Sequence, residues 1–229
     1  MYNMIMSIRK VSFAPGEYYH IYNRGNSKQK IFHDKEDYAH FSGLLYACNQ
    51  KENFKVDNLR KGQSLFEVEK LSKLVGIGAY CLMPNHFHLL VTQGDNGNIS
   101  KFMQKLSTAY VMYYNKKYKR TGGLFEGKFK SQHANIDRYL KYLFSYIHLN
   151  PIKLIDKDWK EKGIKNKKAA LNYLKNYAYS SFLDYMGIKR LQNKILNVED
   201  FPEYFLNQHS ILEEIFEWLS YNDTSHYLR

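Results

Sequence analysis

The chain of 229 residues carries 34 Lys plus Arg against 22 Asp plus Glu, a formal net charge of +12. Hydrophobic residues make up 44% of the chain and aromatic ones 16%, which supplies a core that a disordered basic tail would lack. Two cysteines, Cys48 and Cys81, give no support to a disulfide scaffold, a thiolate zinc cluster or an iron–sulfur site.

The opening MYNMIMSIRKVSF lacks the basic region and apolar core of a signal peptide. No run approaches the ~18 apolar residues of a conventional membrane span. The expectation is a soluble cytoplasmic protein with no membrane partner. Glu17–Arg24, aromatic and β-branched, predicts a strand ending before Gly25. Asp34–Asn49 predicts a helix, with Tyr38, Phe41, Leu44, Leu45 and Cys48 at three-to-four spacing. Residues 50–64 are polar and read as a loop or hairpin tip. Leu74–Leu82 and His86–Thr92 predict two antiparallel strands around the Pro84-Asn85 turn, with Gly76 and Gly78 marking a bulge or a close backbone approach.

Ser100 is the expected cap of a helix running to Lys117, and Leu124–Ser131 the expected fourth strand. Asp137–Asn150 predicts a helix stopped by Pro151. The order β-α-β-β-α-β-α predicts an α+β fold with a split βαβ, ferredoxin-like core, its helices packed over an antiparallel sheet. Beyond residue 155 the pattern is mostly helical. The expected division is a catalytic unit over 15–154 and a helical extension over 155–229.

Charge is uneven along the chain. Segment 101–130 holds eight basic residues against Glu126, whereas 199–229 holds seven acidic residues against Arg229. A basic middle with an acidic end points to a directed anion-binding face, and raises the question of whether the tail covers it. Lys116, Lys117, Lys119 and Arg120 follow a helix, and Lys128 and Lys130 alternate on the expected strand, so they are candidates for phosphate contacts. Tyr113, Tyr114 and Tyr118 can stack on unpaired bases or simply pack.

On a strand, His86 and His88 point together while Phe87, Leu89 and Val91 face the core. Paired imidazoles can hold one divalent metal if other donors complete its shell. Along the helix, Tyr139, Tyr142 or Leu143, and Tyr146 are neighbours on one side, and Tyr146 and Asn150 lie four residues apart on one face. A phenol beside an amide oxygen and a metal suits phosphoryl transfer: the metal stabilises developing charge while the phenol attacks phosphorus. Most of the 21 tyrosines are expected to be packed with their hydroxyls hydrogen-bonded.

Five blocks carry a resemblance: YYHIYNRGN at 18–26, MPNHFHLLV at 83–91, GGLFEGKFKS at 122–131, RYLKYLFSYIHLNP at 138–151 and YAYSSFLDYMG at 177–187. In order and spacing the chain resembles the REP-associated tyrosine transposases and, more distantly, the single-tyrosine transposases of the IS200/IS605 group. The resemblance implies an HUH-type metal site at His86 and His88, with Mg²⁺ or Mn²⁺ as cofactor and Tyr146 as nucleophile. It further implies single-stranded DNA bearing hairpins or palindromic repeats, a 5′-phosphotyrosine intermediate and a homodimer. The resemblance also implies Asn150 as a further residue of the metal site, in the place where insertion-sequence relatives carry Gln, one methylene longer. By family position Asn23, Arg24 and Asn26 shape a DNA-facing loop. His148, on another side of the helix, is expected to be structural. The alternatives are a non-cleaving nucleic-acid-binding regulator derived from such a transposase, and an HUH nickase of replication or repair.

Overall fold

A computed structural model describes residues 12–52, 59, 60, 62–95, 97–203, 211–215 and 217. Four strands, β1 (Tyr18–Arg24), β2 (Gly76–Met83), β3 (His86–Thr92) and β4 (Lys130–His133), form one antiparallel sheet in the order β2-β3-β1-β4. The molecule is a mixed α+β fold with a helical extension. Helices α1 (Lys35–Ala47) and α2 (Ile99–Lys117) connect strands, and α3 (Asp137–Leu149) follows β4. Short helices α4 (Trp159–Lys162), α5 (Lys167–Asn176) and α6 (Phe182–Tyr185) follow.

Strand alternation divides the core in two. Tyr19, Ile21, Ile77, Tyr80, Leu82, Phe87, Leu89 and Val91 join residues of α1 and α2 on one face. Ala79, Cys81, Met83 and Leu90 join Leu140, Leu143, Phe144 and Ile147 of α3 on the other. Each large side chain buried this way stabilises the fold by about 1.5–3 kcal/mol.

Most elements lie where the pattern put them, with two corrections. Asn98, not Ser100, caps α2: its Oδ1 accepts from the Lys101 N–H at 2.8 Å, and Ser100 already sits inside the first turn. The fourth strand begins at Lys130 instead of Leu124. Phe125 makes only an isolated bridge to Gly25, and the chain then turns through Gly127 at φ +70° before pairing begins. Asp34 caps α1 by accepting from the Asp37 N–H. The α1 helix stops at Ala47, and Asn49 beyond it bonds the backbone of Leu74 and Val75. Part of the 50–64 loop (residues 53–58 and 61), the opening residues 1–11 and the tail residues 218–229 lie outside the described residues.

Both roles expected of the β2 glycines are present. The register shifts between Ile77 and Ala79, so Gly78 sits in the irregularity. A Cβ on Gly78 would meet the Phe201 ring at 2.7 Å.

That close approach reflects how the extension meets the sheet. The outer edge of β2 is covered by residues 177–197. Leu82 N–H donates to Tyr179 O at 2.9 Å, Ser181 N–H to Tyr80 O at 3.0 Å and Asn197 N–H to Ile77 O at 2.9 Å. The Tyr80 N–H donates to Ser181 Oγ, and the Tyr177 and Tyr185 hydroxyls donate to the Leu82 and Gly78 carbonyls. The YAYSSF block thus satisfies polar groups that an open sheet edge would expose. His148, buried on α3, lies 2.7 Å from Ser181 Oγ and ties α3 to the same segment.

Arg190 fastens this cover. Its guanidinium donates to both Asp184 carboxylate oxygens, to the Ala178 and Ser180 carbonyls and to the Tyr80 hydroxyl. Burial raises the Asp184 carboxyl, and Arg190 opposes that shift. The Asp184 side chain is 1% exposed, so removing Arg190 leaves a carboxylate without its cation. Arg190→Met is expected to cost about 3–5 kcal/mol, measured by urea unfolding, with Asp184→Asn plus Arg190→Met recovering part of the loss. A loss under about 1 kcal/mol would show that the latch is dispensable.

Candidate active site

The β1–β3 pairing sets the site. Tyr22 opposes His88 and Arg24 opposes His86, so His20, Tyr22, His86 and His88 share the face that α3 covers. His20 and His88 are buried. His20 Nε2 lies 2.8 Å from His88 Nδ1, and their rings stack with centroids 5.0 Å apart. His86 Nδ1 lies 2.6 Å from Asn85 Oδ1, with the His86 and His88 rings edge to face at 4.9 Å.

Helix α3 delivers the tyrosines. Leu140, Leu143, Phe144 and Ile147 bury one stripe, and this presents Tyr139, Tyr142 and Tyr146 along the adjoining one. Their rings stack in sequence, each pair of centroids 5.8 Å apart. The Tyr146 ring stands edge-on to both histidines, 5.6 Å from His88 and 6.0 Å from His20. His20, Tyr22, His88 and the three tyrosines of α3 line a cavity of about 370 Å³, joined by Trp159 and Lys160 of α4. Lys160 Nζ donates to Tyr146 Oη at 2.8 Å.

Burial sets the protonation of the site. It drives His20 down to about 3 and His86 down to about 4, the latter helped by the Lys153, Lys160 and Arg24 charges. His88 is lowered as well, by burial first and then by its histidine neighbours. The imidazoles are therefore neutral at physiological pH, the form that ligates metals. Burial raises the Tyr146 phenol, while Asn150 and the Lys153 charge pull it back. Burial lowers the Lys160 ammonium to about 8.

This donor set fits a divalent cation in part. Two neutral imidazoles stand together, each with its Nδ1 engaged, an arrangement that orients ligating histidines. Among the described residues no group of three or more His, Cys, Asp or Glu is arranged to hold a metal, so amide, water or phosphate oxygens would complete the shell. Asn150 is buried and its Nδ2 donates to the Tyr146 carbonyl at 2.8 Å, which ties the amide to its own helix.

The basic residues divide. Lys116, Lys119, Lys128 and Lys130 are exposed, as is Asn26, whose N–H donates to Leu124 O. Arg24 pairs with Glu126, and Arg120 donates to Gln29 and to the Gly123 carbonyl. Asn23 is buried; it donates to the Gly127 carbonyl and accepts from the Arg24 N–H, so it shapes the 24–30 and 124–129 loops from within. Lys117 is committed to Asp34, Glu36 and Asp37. Tyr113 and Tyr118 donate to Asp37, and Tyr114 is buried, its hydroxyl 2.8 Å from His33 Nε2. These four side chains build a polar knot at the α1–α2 junction.

His20 and Lys160 went unnamed in the sequence reading. His20 had a signal, since it shares a strand face with Tyr22, but nothing local tells which face meets His88. Lys160 lies in a lysine-rich run that looks like a solvated surface.

The knot carries its own prediction. Burial alone would raise the Asp37 carboxyl, but hydrogen bonds from Lys117, the His33 N–H, Tyr118 and Tyr113 hold it below its ordinary 3.8. A lowered folded-state value contributes stability that is present above pH 3.8 and lost as pH falls through the folded value. Asp37→Asn is expected to cost about 1–3 kcal/mol at pH 7. In urea unfolding the gap from the parent protein narrows as pH falls below 3.8, and a gap independent of pH would remove the charge explanation.

Comparison with known proteins bears on the family and the fold. A family profile described as transposase IS200-like matches residues 60–150. A solved REP-associated tyrosine transposase bound to a REP hairpin superposes with a TM-score of 0.51 at 10% identity, over 82% of this chain and 90% of that one. At that identity the likeness is one of fold. No curated protein matches the chain.

Proposed function

We propose that the protein, whose residues 60–150 match a transposase IS200-like profile, is a single-tyrosine transposase of the IS200/IS605 type: a metal-dependent nickase and strand transferase acting on hairpin-bearing single-stranded DNA. The observation that carries this reading is Tyr146 standing edge-on to His88 in one cavity, with His86 beside it. The strand order β2-β3-β1-β4 supports a ferredoxin-like HUH core over 15–154, followed by the extension over 155–229.

In this reading Tyr146 Oη attacks the scissile phosphorus and leaves a 5′-phosphotyrosine and a free 3′-hydroxyl. The ester keeps its energy for transfer to a second strand. His86 and His88 would hold Mg²⁺ or Mn²⁺, which when bound neutralises charge building on the phosphate oxygens. His20 holds His88 in place, and α3 holds Tyr146 against it. Exposed Lys116, Lys119, Lys128 and Lys130 supply phosphate contacts for the strand, and the loop shaped by Asn23, Arg24 and Asn26 borders His86. Asn150 positions Tyr146 through the helix. A homodimer belongs to the same proposal, and light scattering with and without DNA tests it. Among the described residues no helix is long and apolar enough to cross a membrane; we place the activity in the cytoplasm.

A labelled hairpin-bearing single strand, incubated with protein and Mn²⁺, is expected to yield a covalent adduct that survives denaturation. Tyr146→Phe abolishes it, and His86→Ala or His88→Ala lowers its rate by about a hundredfold or more. An adduct that persists in Tyr146→Phe refutes the nucleophile. Tight binding without any adduct on authentic flanking DNA favours the non-cleaving regulator.

A further inference from the structure

We propose that Lys160 is a further catalytic residue of this site: its ammonium holds the Tyr146 oxygen and receives the non-bridging oxygens of the phosphate that this oxygen attacks. The inference rests on the reading of Tyr146 as nucleophile. Its ground is geometric. Lys160 Nζ donates to Oη at 2.8 Å and lies 3.9 Å from the centroid of the same ring. It reaches the cavity from α4, where the buried Trp159 anchors the helix beside it.

A phosphorus in position for attack lies about 3–3.5 Å from Oη. Its non-bridging oxygens then fall within hydrogen-bond reach of a nitrogen already bonded to that oxygen. A cation walled by tyrosines, Leu143, Leu149 and Trp159 acts through little water, so it stabilises added negative charge more strongly than a surface lysine can. Burial lowers Lys160 to about 8, which leaves it mostly charged at neutral pH. Glu161, on the same short helix, opposes that shift and lines the cavity too.

The step balances without proton transfer by Lys160. The Tyr146 Oη–P bond forms and the P–O3′ bond breaks. The electron pair leaves on the 3′-oxygen, which takes a proton from water, and the phenol proton passes to water. Lys160 meets the extra charge of the five-coordinate phosphorus and then stays beside the phosphotyrosine.

Lys160→Met keeps length and apolar bulk but removes charge, whereas Lys160→Arg keeps charge. With saturating hairpin DNA and Mn²⁺, Lys160→Met is expected to lower the single-turnover rate of adduct formation by about 10²–10³-fold, and Lys160→Arg to recover most of it. DNA affinity and thermal midpoint of Lys160→Met stay near those of the parent protein. A Lys160→Met rate within about threefold of the parent, with Tyr146→Phe inactive, overturns the role of Lys160 and leaves the nucleophile standing. Equal loss in Lys160→Met and Lys160→Arg makes Lys160 a prop for the ring and overturns the charge role. Absence of any adduct from the parent protein overturns both readings.

Discussion

Antiparallel pairing between β1 and β3, with Tyr22 opposite His88, holds the rest of the site in place. Side chains on a strand alternate, so this register turns His20, His86 and His88 to one face and Ile21, Phe87 and Leu89 to the other. A slip of one residue would put imidazoles into the α1–α2 core and phenylalanine against α3. The apolar set prevents that slip, because burying three neutral imidazoles in place of apolar side chains leaves polar atoms to be satisfied. Packing on one face of the sheet thus aims the chemistry on the other.

The count of 34 Lys plus Arg overstates the cations available to a polyanion. Lys117 is spent on three carboxylates, Arg24 on Glu126, Lys73 on Asp200, and Arg190 on the latch that holds the extension. Exposed lysines remain at the end of α2 and along 128–130, flanking the loop that adjoins the histidine strand. The acidic end is likewise partly occupied: Glu199 and Asp200 pair with Lys73 beside β2, on the opposite edge of the sheet from β4. Ion pairing inside the fold therefore sorts cations that bind from cations that build.

The extension does two things at once. Residues 177–197 satisfy the outer edge of β2, which a lone core would leave open to pairing with another chain. Residues 159–161 wall the cavity over Tyr146. One segment thereby links the stability of the sheet to the shape of the site, and His148 with Ser181 is a direct tie between the two.

Local pattern was enough for the elements, because three-to-four and two-residue periodicities are properties of neighbouring residues. It misjudged the cap of α2 and the start of β4, where Asn98 outcompetes Ser100 and Gly127 delays pairing. It paired His86 with His88 and set Tyr146 four residues from Asn150, since each relation spans a few residues of one strand or one helix; the family resemblance, not the pattern, singled out Tyr146 among the tyrosines. Meeting of that strand and that helix, the recruitment of His20 from 68 residues away and of Lys160 from α4, and the withdrawal of Lys117 into ion pairs all depend on which faces the folded chain brings together. The sequence by itself determined the periodic elements and the residue types able to do phosphoryl chemistry. Only the tertiary structure decided which of them share a cavity, because burial, charge and contact across the sheet are set by long-range packing.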